Sequence, residues 1–118
     1  MISRTAAEIA AAVGGRVLTG AEGHRATRVC IDSRRARPGD VFFAIVGPRH
    51  DGHRFVRQAA AAGATVAVVS QPLSGPSAMT LVLCRETTAA LGRLAADERR
   101  RRDLKVVAIS GSAGKTTT

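Results

Sequence analysis

Three short apolar runs, Val41 to Val46, Thr65 to Val69 and Thr80 to Cys84, alternate with segments of helical pattern, and this alternation restricts the fold more than any other feature of the chain. Each run suits a strand buried in a sheet. Thr27 to Ile31 reads as a further strand. Thr5-x-x-Glu8 is a capping box that opens a short helix, with Ile9 and Val13 on one face and Gly14-Gly15 as its stop. Asp51 is a fitting N-cap for a helix over His53 to Ala62, built on Phe55, Val56 and alanines and ended by Gly63. Thr87 to Arg101 reads as a longer helix with Leu91, Leu94 and Ala95 facing inward. Gly20 to Gly23, Arg37 to Asp40, Gly47 to Gly52 and Pro72 to Ser77 carry the glycine and proline punctuation of loops and turns. An α/β fold with a sheet flanked by helices follows.

At 118 residues the chain has room for one small-to-medium domain and little more. With three Phe and neither Trp nor Tyr, its core must come from Ala, Val, Leu and Ile. The formal charge of +9, carried almost wholly by arginine, invites a nucleic-acid reading. Two features oppose it: single strands are held by stacking on aromatic platforms that are missing here, and the basic residues are scattered except for Arg99 to Arg102. That run is equally the solvated end of a helix, where cations suit the dipole. No nucleic-acid partner is therefore expected, and a monomer is. Cys30 and Cys84 lie in or beside strand-like runs, where buried reduced thiols are the default. No secretory leader opens the sequence and no apolar stretch is long enough to span a bilayer, so a cytoplasmic protein without membrane contact is expected.

The last residues bring different chemistry. Val106 to Ile109 reads as a strand that feeds Gly111-Ser112-Ala113-Gly114-Lys115-Thr116-Thr117, a glycine-rich turn ahead of a helix start. Successive main-chain N–H groups in such a turn can converge on phosphate oxygens, and Gly111 and Gly114 let the backbone approach without a Cβ in the way. Lys115 would reach the β/γ-phosphates of ATP as a point charge, and the Thr116 hydroxyl would ligate Mg²⁺. The longer G-x-x-x-x-G-K-[ST] pattern is incomplete, since Ile109 stands where its first glycine belongs. A polar tail is the competing interpretation. Composition shifts at Arg99 to Asp103, which divides the chain into residues 1–103 and the start of a second unit at 104–118.

The front part has loop chemistry of its own. Asp32-Ser33-Arg34 leaves a strand end, where open α/β sheets bind ligands. Gly47 to Gly52, with Arg49 and His50, leaves another and opens a helix. A hydroxyl, guanidinium groups and free N–H donors suit a nucleotide diphosphate; equally, Asp32 and Asp51 could simply cap turns while the arginines are solvated. His24, His50 and His53 have no Cys or carboxylate at metal-ligand spacing, and no Ser/His/Asp set stands out as a nucleophile.

Ile31 to Arg34, Pro38 to Ala44, Gly47, Asp51 to Phe55 and Gly111 to Thr117 together resemble the ATP-dependent Mur ligases, in order and at compatible spacing over essentially the whole chain. These enzymes add amino acids to the UDP-linked muramyl precursor of peptidoglycan. The Ser3 to Ala10 start, Asp51 to Phe55 and Ile109 to Ser112 are most similar to members that add D-alanyl-D-alanine to UDP-N-acetylmuramoyl-tripeptide. Members that add the third residue, diaminopimelate or lysine, share the Asp-Ser-Arg and Gly-Asp signatures.

The resemblance implies a front domain for UDP-N-acetylmuramoyl peptide at residues 1–103, and at 104–118 the first strand and phosphate loop of a truncated P-loop ATPase domain. It also implies amide-bond formation through an acyl phosphate. Carried over to this sequence, Gly111, Ser112, Ala113, Gly114, Lys115, Thr116 and Thr117 would hold ATP, with Thr116 on Mg²⁺; Ser33, Arg49 and His50 would meet the UDP portion. Ala113 departs from the Asn or Ser common in relatives. The isolated chain, lacking the rest of an ATPase domain, is expected to be inactive as a ligase.

Overall fold

The computed structural model describes residues 3–73 and 79–110. A five-stranded sheet runs in the order β2 (Arg16–Thr19), β7 (Thr80–Leu83), β6 (Val66–Val69), β5 (Asp40–Phe43), β4 (Arg28–Cys30). From β4 to β7 the pairing is parallel, and β2 closes one edge antiparallel to β7. β1 (Arg4–Thr5) and β3 (Arg25–Ala26) form a separate antiparallel pair. The helices are α1 (Ala6–Val13), α2 (Val56–Ala61) and α3 (Thr87–Ser110), with 3₁₀ turns at Ser33–Arg35 and Gly52–Phe55.

Both sheet faces are covered, which is why the apolar runs do not alternate with polar residues. Side chains along a strand point alternately up and down. Val41, Phe43, Val66, Val68 and Val82 therefore meet Ile9 and Val13 of α1 and Ala90 and Leu94 of α3. Phe42, Ala67, Val69 and Leu81 turn the other way, onto Val56 and Ala59 of α2. The core is aliphatic apart from two phenylalanines, as composition required. Cys30 and Cys84 are buried free thiols, and burial pushes both above the ordinary cysteine value.

The capping box forms as expected: the Glu8 amide donates to Thr5 Oγ1 at 3.2 Å and the Thr5 amide to Glu8 Oε1 at 2.8 Å. Gly14, at φ 73°, ends α1 in the left-handed conformation. A buried arginine then ties this end of the chain to α3, since Arg4 reaches Asp97 at 2.7 Å and also pairs with Glu98.

One strand was not anticipated, and three expectations need correction. Arg16–Thr19, unassigned from sequence, is the edge strand β2; its two apolar residues sit between a polar pair, too short a signal beside the glycines. The segment expected as one helix over His53 to Ala62 is a 3₁₀ turn followed by the shorter α2. Ala95 is exposed, and Ala90 takes the inward place beside Leu94. Finally, Val106 to Ile109 is not a strand: α3 continues through it to Ser110. From Arg93 to Ser110 there is neither Gly nor Pro to stop a helix, whereas a strand needs a neighbouring ladder to satisfy its backbone. The expected phosphate loop, Gly111 to Thr117, lies outside the described residues.

Candidate functional site

Because β4 to β7 run parallel, the segments that follow them gather along one rim of the sheet. The segment after β4 holds Asp32, Ser33 and Arg34; the one after the adjacent β5 holds Arg49 and His50. The two clusters read from sequence are thus neighbours. Ile31 and Val46, both more exposed than large apolar residues usually are, flank them.

Their chemical states differ. Asp32 caps the 3₁₀ turn by accepting from the Arg34 amide at 3.0 Å, and its other oxygen pairs with the Arg34 guanidinium at 3.1 Å. That guanidinium, with the Arg34 amide, holds the Asp32 carboxyl below the usual carboxylate range. Ser33 is buried, and its hydroxyl donates to Gln58 Oε1 of α2 at 3.2 Å. Arg49 and His50 are exposed at the tip of the next loop. Turn-capping is therefore the right account of Asp32. Ser33 is tied to α2, and Arg49 and His50 face solvent.

That second loop is tightly built. The Gly47 amide donates to His50 O and the Gly52 amide to Ile45 O, both at 2.8 Å, and Val46 bridges Asp51. At Gly52 a Cβ would stand 2.8 Å from Ile45 N and 2.9 Å from Ile45 O, both backbone atoms, so only glycine fits without moving the chain. Thr87, at the start of α3, donates its hydroxyl to Ala44 O at 2.8 Å and fixes the loop's origin. Asp51 is an N-cap, as expected, accepting from the His53 amide at 2.9 Å. That bond, ahead of the His53 ring, holds the Asp51 carboxyl below its ordinary value.

Sequence reasoning missed what His53 does. Its buried ring places Nδ1 2.6 Å from Asp51 Oδ1, and its Nε2 accepts from the Ser70 amide at 2.9 Å. Ser70 Oγ lies 3.3 Å from the same nitrogen. An Asp, a His and a Ser therefore do converge, but not as a nucleophilic set: the one lone pair of Nε2 is engaged by a main-chain N–H. Only the spacing Asp51-x-His53 was visible beforehand, and Ser70 sits 17 residues further on with no motif to link it. The three histidines serve separate places, since His24 bonds Thr80 Oγ1 at 2.8 Å while His50 is exposed.

A concavity of about 650 Å³ lies at the β7–β2 end of the same rim, lined by Gly14, Gly15, Arg16, Cys84, Arg85 and Arg93 among others. Several of its polar groups are already committed. The Glu86 carboxylate accepts from the Ala89 amide at 2.7 Å and the Thr88 amide at 3.1 Å, which fills the N-terminus of α3. Arg93 donates to Val13 O at 3.4 Å, at the end of α1.

An open sheet, covered on both faces and carrying polar loops at the carboxyl ends of parallel strands, is the plan of an α/β ligand-binding domain. The chain belongs to the Mur ligase family: the family model described as "Mur ligase family, catalytic domain" matches residues 25–102. A UDP-N-acetylmuramoyl-tripeptide–D-alanyl-D-alanine ligase of Synechocystis is 37% identical over 95 residues, which are 80% of this chain and 21% of that protein. A UDP-N-acetylmuramoyl-L-alanyl-D-glutamate–2,6-diaminopimelate ligase of Syntrophomonas wolfei is 40% identical over 92 residues, 76% of this chain and 19% of that one. Among solved structures, MurF from Acinetobacter baumannii superposes with a TM-score of 0.71 at 32% identity, covering 84% of this chain and 22% of that chain. The chain thus spans about a fifth of the length of the curated relatives it matches.

Proposed function

We propose that residues 1–103 bind the UDP end of UDP-N-acetylmuramoyl-tripeptide, as the substrate-holding part of an ATP-dependent ligase that adds D-alanyl-D-alanine to it. The observation that carries this is the adjacency of the Ser33 turn and the rigid loop bearing Arg49 and His50, at the carboxyl ends of β4 and β5. Arg49 offers a guanidinium suited to a diphosphate and His50 a ring that can donate or stack, while Ser33 fixes the neighbouring turn against α2. The D-alanyl-D-alanine assignment draws support from the names of the Synechocystis relative and the Acinetobacter structure. The Syntrophomonas relative favours the second reading, a ligase adding diaminopimelate.

The donor set of residues 111–117 fits ATP with Mg²⁺: two glycines among consecutive amides, an ammonium at Lys115 and hydroxyls at Thr116 and Thr117. In this reading Gly111 to Thr117 would hold the triphosphate and Thr116 would ligate the cation, supplying charge stabilisation for phosphoryl transfer. Residues 104–118 would then lead into the ATP-binding part, and residues 1–118 alone would hold substrate without turning over ATP.

Calorimetric titration tests this directly. UDP-N-acetylmuramoyl-tripeptide should bind the purified chain, and Arg49→Ala should weaken that binding about tenfold, as loss of one charge-assisted contact does. A chain that ignores the UDP peptide, or hydrolyses ATP unaided, would sink the proposal.

A further inference from the structure

We propose that His53 is a positioning residue for the nucleotide site, fixing where Arg49 and His50 stand without touching the ligand itself; this rests on the reading of that loop given above. Arg49 and His50 sit on a loop anchored at one side by β5 and at the other by Asp51. Asp51 belongs to the loop, whereas Ser70 directly follows β6, the neighbouring strand. The His53 ring is the side-chain link between them, 2.6 Å from one and 2.9 Å from the other.

The protonation of that ring follows from its partners. A main-chain amide can only donate, so Nε2 must carry the lone pair and Nδ1 the proton, which it donates to the Asp51 carboxylate. A neutral ring in one tautomer satisfies both neighbours. The ring is buried, and removing it would take away the acceptor of the Ser70 N–H and free Asp51 to turn. A loop held this way loses less freedom on binding, so its affinity gains from preorganisation rather than from a new contact.

The test separates shape from hydrogen bonding. His53→Leu fills much of the ring's space without polar atoms, while His53→Gln returns an acceptor at the Nε2 position. Circular dichroism establishes that both variants are folded, and calorimetry with UDP-N-acetylmuramoyl-tripeptide reads affinity. We expect about a tenfold loss for His53→Leu and recovery to within about threefold of the parent for His53→Gln. In the parent chain, ¹⁵N spectra should show the Nδ1–H tautomer and a Ser70 amide protected from exchange, with protection lost in His53→Leu. Equal binding by the parent and His53→Leu, or a rapidly exchanging Ser70 amide in the parent, overturns the positioning role alone. If the parent chain binds no UDP peptide, the nucleotide reading of the loop falls and takes the positioning role with it.

Discussion

The two rims of the parallel sheet draw on the same residue types but differ in what they leave open to solvent. At the amino ends of the strands, bonding capacity is consumed internally. Asp40, buried at the start of β5, accepts from Arg28 through both oxygens at 3.0 and 2.8 Å and from the Arg37 amide at 2.9 Å. Thr80, at the start of β7, exchanges hydrogen bonds with Ala21 and meets His24. Gly63, at φ 105°, lies so close to Pro38 that a Cβ would stand 2.7 Å from its Cα. At the carboxyl ends Asp32, Ser33 and Asp51 are likewise committed, but Arg49 and His50 are held out on a hydrogen-bonded loop and face solvent. An arginine beside an aspartate says little by itself. What distinguishes a binding group from a structural one is whether its hydrogen bonds are already made.

If that distinction is right, the largest stability effect should come from the amino rim. Asp40→Ala removes a buried acceptor of three hydrogen bonds and leaves the Arg37 amide without a partner, so it should cost about 2–3 kcal/mol in urea unfolding. Where the variant remains folded, its affinity for the UDP peptide should be close to that of the parent. Arg49→Ala combined with His50→Ala should do the reverse, leaving the unfolding midpoint in place while binding of the UDP peptide is lost. A double variant that unfolds early, or an Asp40 variant that folds normally but cannot bind, would erase the contrast between the rims.

How far this was legible depended on whether the deciding interactions were local. The capping box at Thr5 and Glu8 and the N-cap at Asp51 act within three residues, and both are found as expected. The apolar runs marked β5, β6 and β7 because burial on both faces imposes a continuous pattern. β2 escaped because an antiparallel edge strand of four residues has little burial to write into sequence. Val106 to Ile109 misled for a related reason: β-branched residues suit a strand only when a sheet is there to receive them, and here they continue α3. At the candidate site, Ser33, Arg49 and His50 were expected from loop position and family resemblance, and the structure places them on segments that follow adjacent strands. The His53 link was not, because it depends on β6 lying beside β5, which is a property of the sheet order.

The smallest effect concerns pH and touches the carboxyl rim alone. The Asp51 carboxyl is held below its ordinary value by the His53 amide first and the His53 ring second. A carboxyl with a lowered folded value binds protons more readily in the unfolded chain, so its contribution is complete above the unfolded value, about 4, and is lost as pH falls through the folded one. Asp51 is partly open to solvent, which screens the effect and keeps it small. The parent chain should therefore lose stability below about pH 4 slightly faster than Asp51→Asn, which carries no titrating group there. Above pH 5 Asp51→Asn should be the less stable because it has given up the charge-assisted bonds to His53, and the two should converge in acid. Urea unfolding midpoints taken from pH 3 to pH 7 would show two curves that converge toward low pH; parallel curves would mean that the charge on Asp51 adds nothing to the tie with His53, and that the loop keeps its shape through its main-chain bonds.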